Sequence, residues 1–460
     1  MKAAVIGSPV SHSLSPAIFE FISYDQGIVV DYSAIEVNPL DHKKFLKEIK
    51  DSQEFVGLNV TLPLKELVAE AVDEISSAAK VMGAVNVIHF EKNLVHGHNT
   101  DAIGIEKTFK RAGLEVNSKV CLLWGAGGSA KAVAFVLGKL KAKSVYIYNR
   151  SSRGKDVAHI FSSHYPETSF QSISTLDEVK AETFSLMINA TPLGMLGQDQ
   201  GEAYFKQSEA LKFSRDGLAF DLIYIPESTD FLKAAEKKGL KTIGGLGMLI
   251  DQALATWEIW FGPLKNEQLL YLRLTSFLKG ILKLRYNPSP VYLTGFMGVG
   301  KSTIGKCLSR LTKREFVDTD KVIESISKLT IPEIFASVGE SEFRRVENDA
   351  IKDVSAKVNS IISLGGGSLN HPENFQTIHN TGVVIYLEAD LKTLDKRISE
   401  QGLHRPLLEG LQGEKRLAKI AQLLEERKSI YDKAAIMVNT SSLTINQTCF
   451  DIISKIGELQ

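Results

Sequence analysis

The run Gly295-Phe296-Met297-Gly298-Val299-Gly300-Lys301-Ser302 leaves the chain around it few choices of fold. It matches GxxxxGK[ST], directly after the apolar run VYLTGF (291–296) and directly before the helical run TIGKCLSRL. Glycines at that spacing expose successive N–H groups to a β-phosphate, Lys301 reaches toward the γ-phosphate, and the Ser302 hydroxyl can ligate Mg2+. The segment predicts an α/β domain holding a nucleoside triphosphate, with EFVDTD (315–320), SIISLGGG (360–367) and GVVIYLEAD (382–390) as further strands. Such a loop alone does not separate a kinase from an ATPase or GTPase.

A second glycine turn lies far upstream. Gly125-Ala126-Gly127-Gly128-Ser129-Ala130 follows the strand-like KVCLLW (119–124) and opens the helical AKAVAFVLGKL. Strand, turn and helix stand where a dinucleotide's pyrophosphate would be met by backbone N–H groups and a helix dipole. An NAD site usually carries an acidic residue about 20 residues on. Here SVYIYNR (144–150) ends in Asn149-Arg150, followed by Ser151, Ser152 and Arg153. A guanidinium beside hydroxyls suits a 2′-phosphate, so NADP(H) is expected over NAD. Runs such as VVDYSAIEV (29–37) alternate with helical stretches such as KKFLKEIK (43–50) up to about residue 260, which predicts parallel α/β architecture.

Charge narrows the partners. Lys+Arg and Asp+Glu are both 54, so no basic surplus draws the chain to nucleic acid and any anion must be held by local groups. Cys121, Cys307 and Cys449 are odd in number and far apart, which predicts no disulfide framework and a cytoplasmic location. The N-terminus breaks at Gly7 and Pro9, too early for a signal peptide, and no apolar run of about 18 residues predicts a membrane span. Residues 264–290 are expected to be a helical linker: 264–286 is basic and helical in pattern, and NPSP (287–290) closes it. Its apolar stripe favours packing on a neighbouring domain over lying on a membrane.

The loops SHSLSP (11–16), GLNVTLPLKE (57–66), GAVNVI (83–88) and GHNTDAIG (97–104) are unusually polar for strand ends. Ser13, Ser15, Thr61, Asn86, Asn99 and Asp101 suit a small polyhydroxylated ligand, and Lys65 with Asp101 forms the one evident acid/base pair among them. Behind the phosphate loop, Asp318 and Asp320 are expected to end a strand with both side chains on one face, serving the metal and an acceptor hydroxyl. Arg344, Arg405 and Arg427, with the run Gly365-Gly366-Gly367, read as an anion clamp.

These motifs resemble two families. Residues 1–262 are similar to shikimate dehydrogenase through SHSLSP, NVTLPLK, GAVN, NTDAIG, GAGGSAKA, YNRS, NATPLGM (189–195), DLIYIP (221–226) and GLGMLIDQA (245–253). That resemblance implies NADPH-linked reduction of 3-dehydroshikimate to shikimate. It assigns Ser13, Ser15, Thr61, Lys65, Asn86, Asp101 and Gln252 to the substrate, with Lys65 and Asp101 catalytic. It assigns Gly125, Ala126, Gly127, Gly128, Ser129, Ala130, Asn149, Arg150 and Arg153 to NADP(H), with Thr191, Tyr224, Gly245 and Met248 near it. Phe19-Glu20 stands where the family commonly has His-Asn, and reads as helix packing. Within this half the implied layout is a substrate subdomain, 1–104 and 240–263, and a Rossmann NADP subdomain, 105–239, which leaves room for a homodimer through this half.

Residues 291–440 look like shikimate kinase through GFMGVGKS, FVDTD, EFRRVE, SLGGG, HRPLL and ERKSIY, which implies a fold of the P-loop nucleoside-monophosphate-kinase type over 291–460. By that resemblance Asp320, Arg344, Gly365, Gly366, Gly367 and Arg427 hold shikimate, with Asp320 acting on the attacking hydroxyl at ring position 3. Gly298, Val299, Gly300, Lys301, Ser302, Thr303, Arg397, which is expected to stack near adenine, and the lid residue Arg405 hold ATP, and Ser302 and Asp318 hold Mg2+. The expected protein is a bifunctional enzyme of aromatic amino acid biosynthesis. Two alternatives are a non-catalytic regulator that senses quinate or shikimate, and a first half that prefers quinate or NAD. The regulator reading is disfavoured because no catalytic group is missing.

Overall fold

The computed structural model describes residues 1–197, 207–401, 408 and 410–459. The chain divides into two compact units, Met1–Thr275 and Ser276–Gln460. The first contains two sheets. One is built from β1 (Lys2–Gly7), β2 (Asp31–Glu36), β3 (Phe55–Val60), β4 (Glu74–Ile75), β5 (Val87–Glu91) and β6 (Leu94–His98), in the order β2-β1-β3-β5-β6-β4. Its first three strands are parallel, and β5 runs antiparallel to both β3 and β6.

The other sheet is fully parallel. It comprises β7 (Val120–Trp124), β8 (Ser144–Tyr148), β9 (Ser169–Ile173), β10 (Thr183–Asn189), β11 (Lys212–Asp221) and β12 (Lys241–Ile243), in the order β12-β11-β10-β7-β8-β9. Successive residues of β7 serve different cores: Cys121 and Leu123 pack on one face, Leu122 and Trp124 on the other. A strand covered on both faces has no polar side, which is why KVCLLW reads as an unbroken apolar run. Because β12 pairs with β11, the chain leaves this sheet after Ile243, slightly later than the expected boundary at 239. Three registered residues of edge strand carry too little hydrophobic signal to mark that point.

The helix Leu246–Phe261 then docks on the first sheet, where Trp260 Nε1 donates to the Ile88 carbonyl at 2.9 Å. The contact needs Gly57, since a Cβ there would lie 2.1 Å from Trp260 Nε1. Phe19 is fully buried in the helix Ser15–Gln26 and stacks on Tyr32 at 4.5 Å, so its role is packing, as expected.

The second unit carries β13 (Val291–Gly295), β14 (Glu315–Asp318), β15 (Ser360–Ser363), β16 (Val383–Glu388) and β17 (Ile436–Asn439), all parallel, in the order β14-β15-β13-β16-β17. The phosphate loop follows the central strand β13. Asp318 and Asp320 do not share a strand face. β14 ends at Asp318, which caps the helix Thr319–Ser327 by accepting the Asp320 N–H at 3.1 Å, so Asp320 lies in that helix's first turn. An aspartate at a strand end is a good N-cap, and the cap turned the chain before the second carboxylate.

The basic segment forms the helix Glu267–Tyr286, and its apolar residues Leu270, Leu274, Phe277, Leu278, Ile281 and Leu284 are buried. No helix among the described residues is long and apolar enough to cross a membrane. Inside the second unit this helix crosses Ile445–Glu458 at two glycines. A Cβ on Gly280 would lie 1.8 Å from the Ile453 carbonyl, and one on Gly457 2.0 Å from the Ser276 carbonyl. Buried Arg314 fixes the turn that follows, donating to the Leu284 carbonyl at 2.5 Å, the Ser289 carbonyl at 2.7 Å and the Asn287 carbonyl. Burial without a carboxylate partner lowers its pKa to about 10.

Because the two atoms nearest a Cβ on Gly280 are Ile453 backbone, Gly280→Ala should cost about 1–3 kcal/mol or more in the second unit. All three tryptophans, Trp124, Trp257 and Trp260, lie in the first unit. Tryptophan fluorescence should therefore melt as in the parent while helical circular dichroism is lost at lower temperature; coincident, unshifted melts would contradict the close crossing.

Candidate active sites

In the first unit, Ser13, Ser15, Thr61, Lys65, Asn86, Asp101 and Gln252 all line one cavity of about 180 Å³. Ser129, Tyr224, Gly245 and Met248 line the same cavity, so polar strand-end loops and the dinucleotide turn meet there. Lys65 opens the helix Lys65–Ala69, and Asp101 opens Asp101–Arg111. Lys65 Nζ donates to Asp101 Oδ2 at 2.5 Å, with the two side chains only 13% and 8% exposed. Asn86 Nδ2 donates to the other oxygen, Oδ1, at 2.8 Å, while Asn86 Oδ1 accepts the Thr100 N–H at 2.7 Å. The carboxylate is thus held from both sides, and the ammonium it holds faces the cavity. Asn99 does not line the cavity: its side chain accepts the Asp101 N–H within its own loop and donates to the Ala84 carbonyl of the neighbouring segment.

Several polar residues behind this wall were not singled out from sequence. Asn59 lines the cavity, accepts the Tyr32 hydroxyl at 2.8 Å and donates to Thr256 Oγ1 at 3.4 Å; Thr256 in turn lies 3.2 Å from Thr100. The available signal was one amide inside the apolar strand FVGLNV, since a buried polar group needs partners.

The glycine turn fits a dinucleotide. Gly125 has φ +112° and packs against Ala190, where a Cβ would lie 3.0 Å from the carbonyl. A Cβ on Gly127 would meet nothing within 4 Å, so the turn opens on free space at the N-terminus of the helix Gly128–Lys139. At the end of β8, Asn149 Oδ1 accepts from the Ser151 N–H at 2.9 Å and its hydroxyl at 2.7 Å. Arg150 and Arg153 are both exposed beside that turn, Arg153 as the first residue of the helix Arg153–His164. Thr191 donates to Asn189 Oδ1 at 2.6 Å. Asn189 also donates to Asp221 Oδ1 at 3.0 Å, and Asp221 Oδ2 accepts the Thr229 hydroxyl at 2.6 Å.

In the second unit the glycine run 365–367 gathers the expected acid and two arginines. A Cβ on Gly365 would lie 2.8 Å from Asp320 Oδ1, one on Gly366 3.5 Å from Arg427 Nη1, and one on Gly367 3.5 Å from Arg344 Nη1. Arg427 Nη1 donates to the Gly366 carbonyl at 2.7 Å. Arg344 Nη1 donates to Glu347 at 2.8 Å, and buried Glu347 also accepts Ser368 Oγ at 2.7 Å. Glu347 escaped the sequence reading. Its signal was a carboxylate in the helix Gly339–Ser355 among the buried positions Phe343, Val346, Ala350 and Ile351.

At the phosphate loop, Gly298 and Gly300 have φ of +80° and +104°, conformations open to glycine. Lys301 Nζ donates to the Gly295 carbonyl at 2.9 Å, and Thr303 is exposed in the first turn of the helix Lys301–Thr312. Ser302 Oγ donates to Asp318 Oδ2 at 2.7 Å, which places a hydroxyl and a carboxylate side by side. No group of three His, Cys, Asp or Glu among the described residues could hold a metal. The Ser302 hydroxyl and Asp318 carboxylate fit Mg2+, which takes one or two protein oxygens and completes its shell with phosphates and water. Arg397 donates to the Val299 carbonyl at 3.2 Å. Arg405 lies outside the described residues.

Comparison with known proteins adds families to this geometry. Residues 5–88 match the model for the shikimate dehydrogenase substrate binding domain, and 297–457 match that for shikimate kinase. A shikimate dehydrogenase (NADP(+)) of Brucella abortus (strain S19) is 35% identical over 264 residues, 57% of this chain and 89% of the relative. One from Methanocaldococcus jannaschii is 36% identical over 271 residues, 58% and 93% of the two chains. A Thermus thermophilus shikimate 5-dehydrogenase solved with NADP(H) and shikimate is similar at TM-score 0.50 and 31% identity, covering 59% of this chain and 97% of that one.

Burial raises the Asp221 pKa from the usual 3.8 to about 6, against the hydrogen bonds it accepts. The folded state thus holds this proton more tightly than the unfolded state, and stability from this group is greatest below pH 3.8 and falls as pH rises to about 6. Two pKa units correspond to roughly 3 kcal/mol. In urea titrations followed by tryptophan fluorescence, the first unit should lose about that much stability relative to Asp221→Asn between pH 4 and 7. A wild-type to variant difference that is flat across this range would refute the assignment.

Proposed function

The chain belongs to the shikimate dehydrogenase family through its first half and carries a shikimate kinase domain at 297–457, and on that premise we propose how its residues divide two consecutive reactions. The protein is a bifunctional enzyme of the shikimate pathway: it reduces 3-dehydroshikimate to shikimate with NADPH and phosphorylates shikimate with ATP and Mg2+ to shikimate 3-phosphate. The dehydrogenase reading spans 1–263 and the kinase reading 291–460, joined by 264–290.

The observation that carries the first reaction is the Lys65 and Asp101 pair, 2.5 Å apart in a cavity that also contains Ser129 of the dinucleotide turn. When bound, NADPH supplies a hydride to the ring carbonyl carbon. Lys65 Nζ stabilises and protonates the carbonyl oxygen as negative charge grows on it, and Asp101 holds the ammonium and aims it. Ser13, Ser15, Thr61, Asn86 and Gln252 hold the substrate's hydroxyls and carboxylate. Arg150, assisted by Arg153, receives the 2′-phosphate.

In the second reaction Arg344 and Arg427 clamp the substrate carboxylate over Gly366 and Gly367, and Asp320 accepts a hydrogen bond from the attacking hydroxyl. Lys301 meets the charge of the transferring phosphoryl group, with Arg405 of the lid assisting. Mg2+, held by Ser302 and Asp318, screens phosphate charge when bound. A regulatory protein that only senses quinate or shikimate would have no need of these groups, and every one of them is present. Three thiol cysteines, Cys121 and Cys449 of them buried, support a cytoplasmic location.

Lys65→Ala should lower dehydroshikimate reduction by about 10²-fold or more and leave ATP transfer unchanged, while Lys301→Ala should do the reverse. Loss of both activities in either variant would reject separate sites. Arg150→Ala should raise KM for NADPH by about tenfold or more with KM for NADH unchanged; an equal effect on both nucleotides would remove Arg150 from the 2′-phosphate.

A further inference from the structure

We infer that Arg397 and Thr440 position the phosphate loop itself, so that Arg397 acts on the triphosphate through the loop backbone and not solely on the adenine base. The inference rests on the kinase reading above.

The helix Leu391–Gln401 touches the loop at two consecutive residues. Ile398 packs under Gly298, where a Cβ would come within 2.8 Å of Ile398 Cγ1, and Arg397 Nη1 donates to the carbonyl of Val299 at 3.2 Å. The same guanidinium donates from Nη1 to Thr440 Oγ1 at 3.0 Å and from Nη2 to the Thr440 carbonyl at 2.8 Å. Thr440 is only 2% exposed, and its N–H donates to the Glu388 carbonyl at 2.8 Å. Glu388 ends β16, which is in register with the loop's own strand, Leu387 opposite Gly295. The brace therefore ties the loop to two strands of its sheet through one side chain.

The physical reason lies in how a phosphate loop works. Its N–H groups bind phosphate because the peptide units are turned so that their carbonyls point the other way. Val299 is 1% exposed, so its carbonyl is withdrawn from water and costly to leave without a donor. A guanidinium supplies that donor with a charge-assisted bond, beside a longer one from the Thr440 hydroxyl at 3.4 Å. With Thr440 holding the other side of the fork, the peptide between Val299 and Gly300 is set before ATP arrives. An arginine that served only to stack on adenine would need neither contact.

A ligand without a base separates the two roles. In the full-length protein, KM for ATP and Ki for Mg2+-tripolyphosphate, a competitor carrying phosphates alone, are measured for Arg397→Ala, Thr440→Val and Thr440→Ser. Both constants should rise by the same factor, about tenfold in Arg397→Ala and about threefold in the nearly isosteric Thr440→Val. Thr440→Ser, which keeps the hydroxyl, should return to parent values. An unchanged KM for shikimate in the same samples reports an intact second unit. An increase in KM for ATP with unchanged tripolyphosphate inhibition, or a silent Thr440→Val, would overturn the inference and leave Arg397 at the base. Absence of ATP transfer in the parent would instead reject the kinase reading.

Discussion

A chain with no net charge that handles two highly anionic nucleotides must meet them with oriented backbone dipoles and a few placed side chains. Both nucleotide turns follow interior strands of parallel sheets, β7 between β10 and β8, and β13 between β15 and β16. Each turn leads into a helix whose first N–H groups have no partner within the helix. Parallel strands covered on both faces place these turns at one edge of a rigid layer, and crossover helices bring the remaining site residues to the same edge. In the second unit Asp320 follows β14 of the same sheet, while in the first Lys65 and Asp101 follow β3 and β6 of the other sheet and meet Ser129 of the dinucleotide turn in one cavity.

Charged side chains in these sites are held by partners before any ligand binds. Asp101 is shared by Lys65 and Asn86, and Arg344 leans on buried Glu347. Arg427 is held by the Gly366 carbonyl and lies 5.7 Å from the centre of the Phe296 ring. Preorganisation of this kind lowers the reorganisation needed as charge develops, which is where electrostatic catalysis gains most. It also explains why Thr100 and Thr256 sit behind the first cavity, since polar wall residues such as Asn59 and Asn86 need partners on their dry side.

Much of this was legible in one dimension because glycine turns, strand-end polar residues and short apolar runs are local. The phosphate loop, the dinucleotide turn and the pairing of Lys65 with Asp101 all stand in the structure where the residues suggested. Less local features were not. Nothing in FVDTD says that Asp318 caps a helix and so parts company with Asp320. Nothing in KTI says that Lys241–Ile243 joins the nucleotide sheet. Glu347, Thr440 and Ile398 look like ordinary helix and strand-end residues until distant segments meet them.

The amino-acid order by itself determined two glycine turns, their flanking strands and helices, and the kinds of side chain available near each. Those follow from backbone freedom and short-range periodicity, which act over a few residues. Tertiary structure alone decided which of those side chains face one another: that Asn86 completes Asp101, that Glu347 carries Arg344, and that Arg397 reaches back to Val299 across almost a hundred residues of chain. Such contacts depend on sheet order and crossover packing, and a buried charge or carbonyl finds its partner only after the layers have closed.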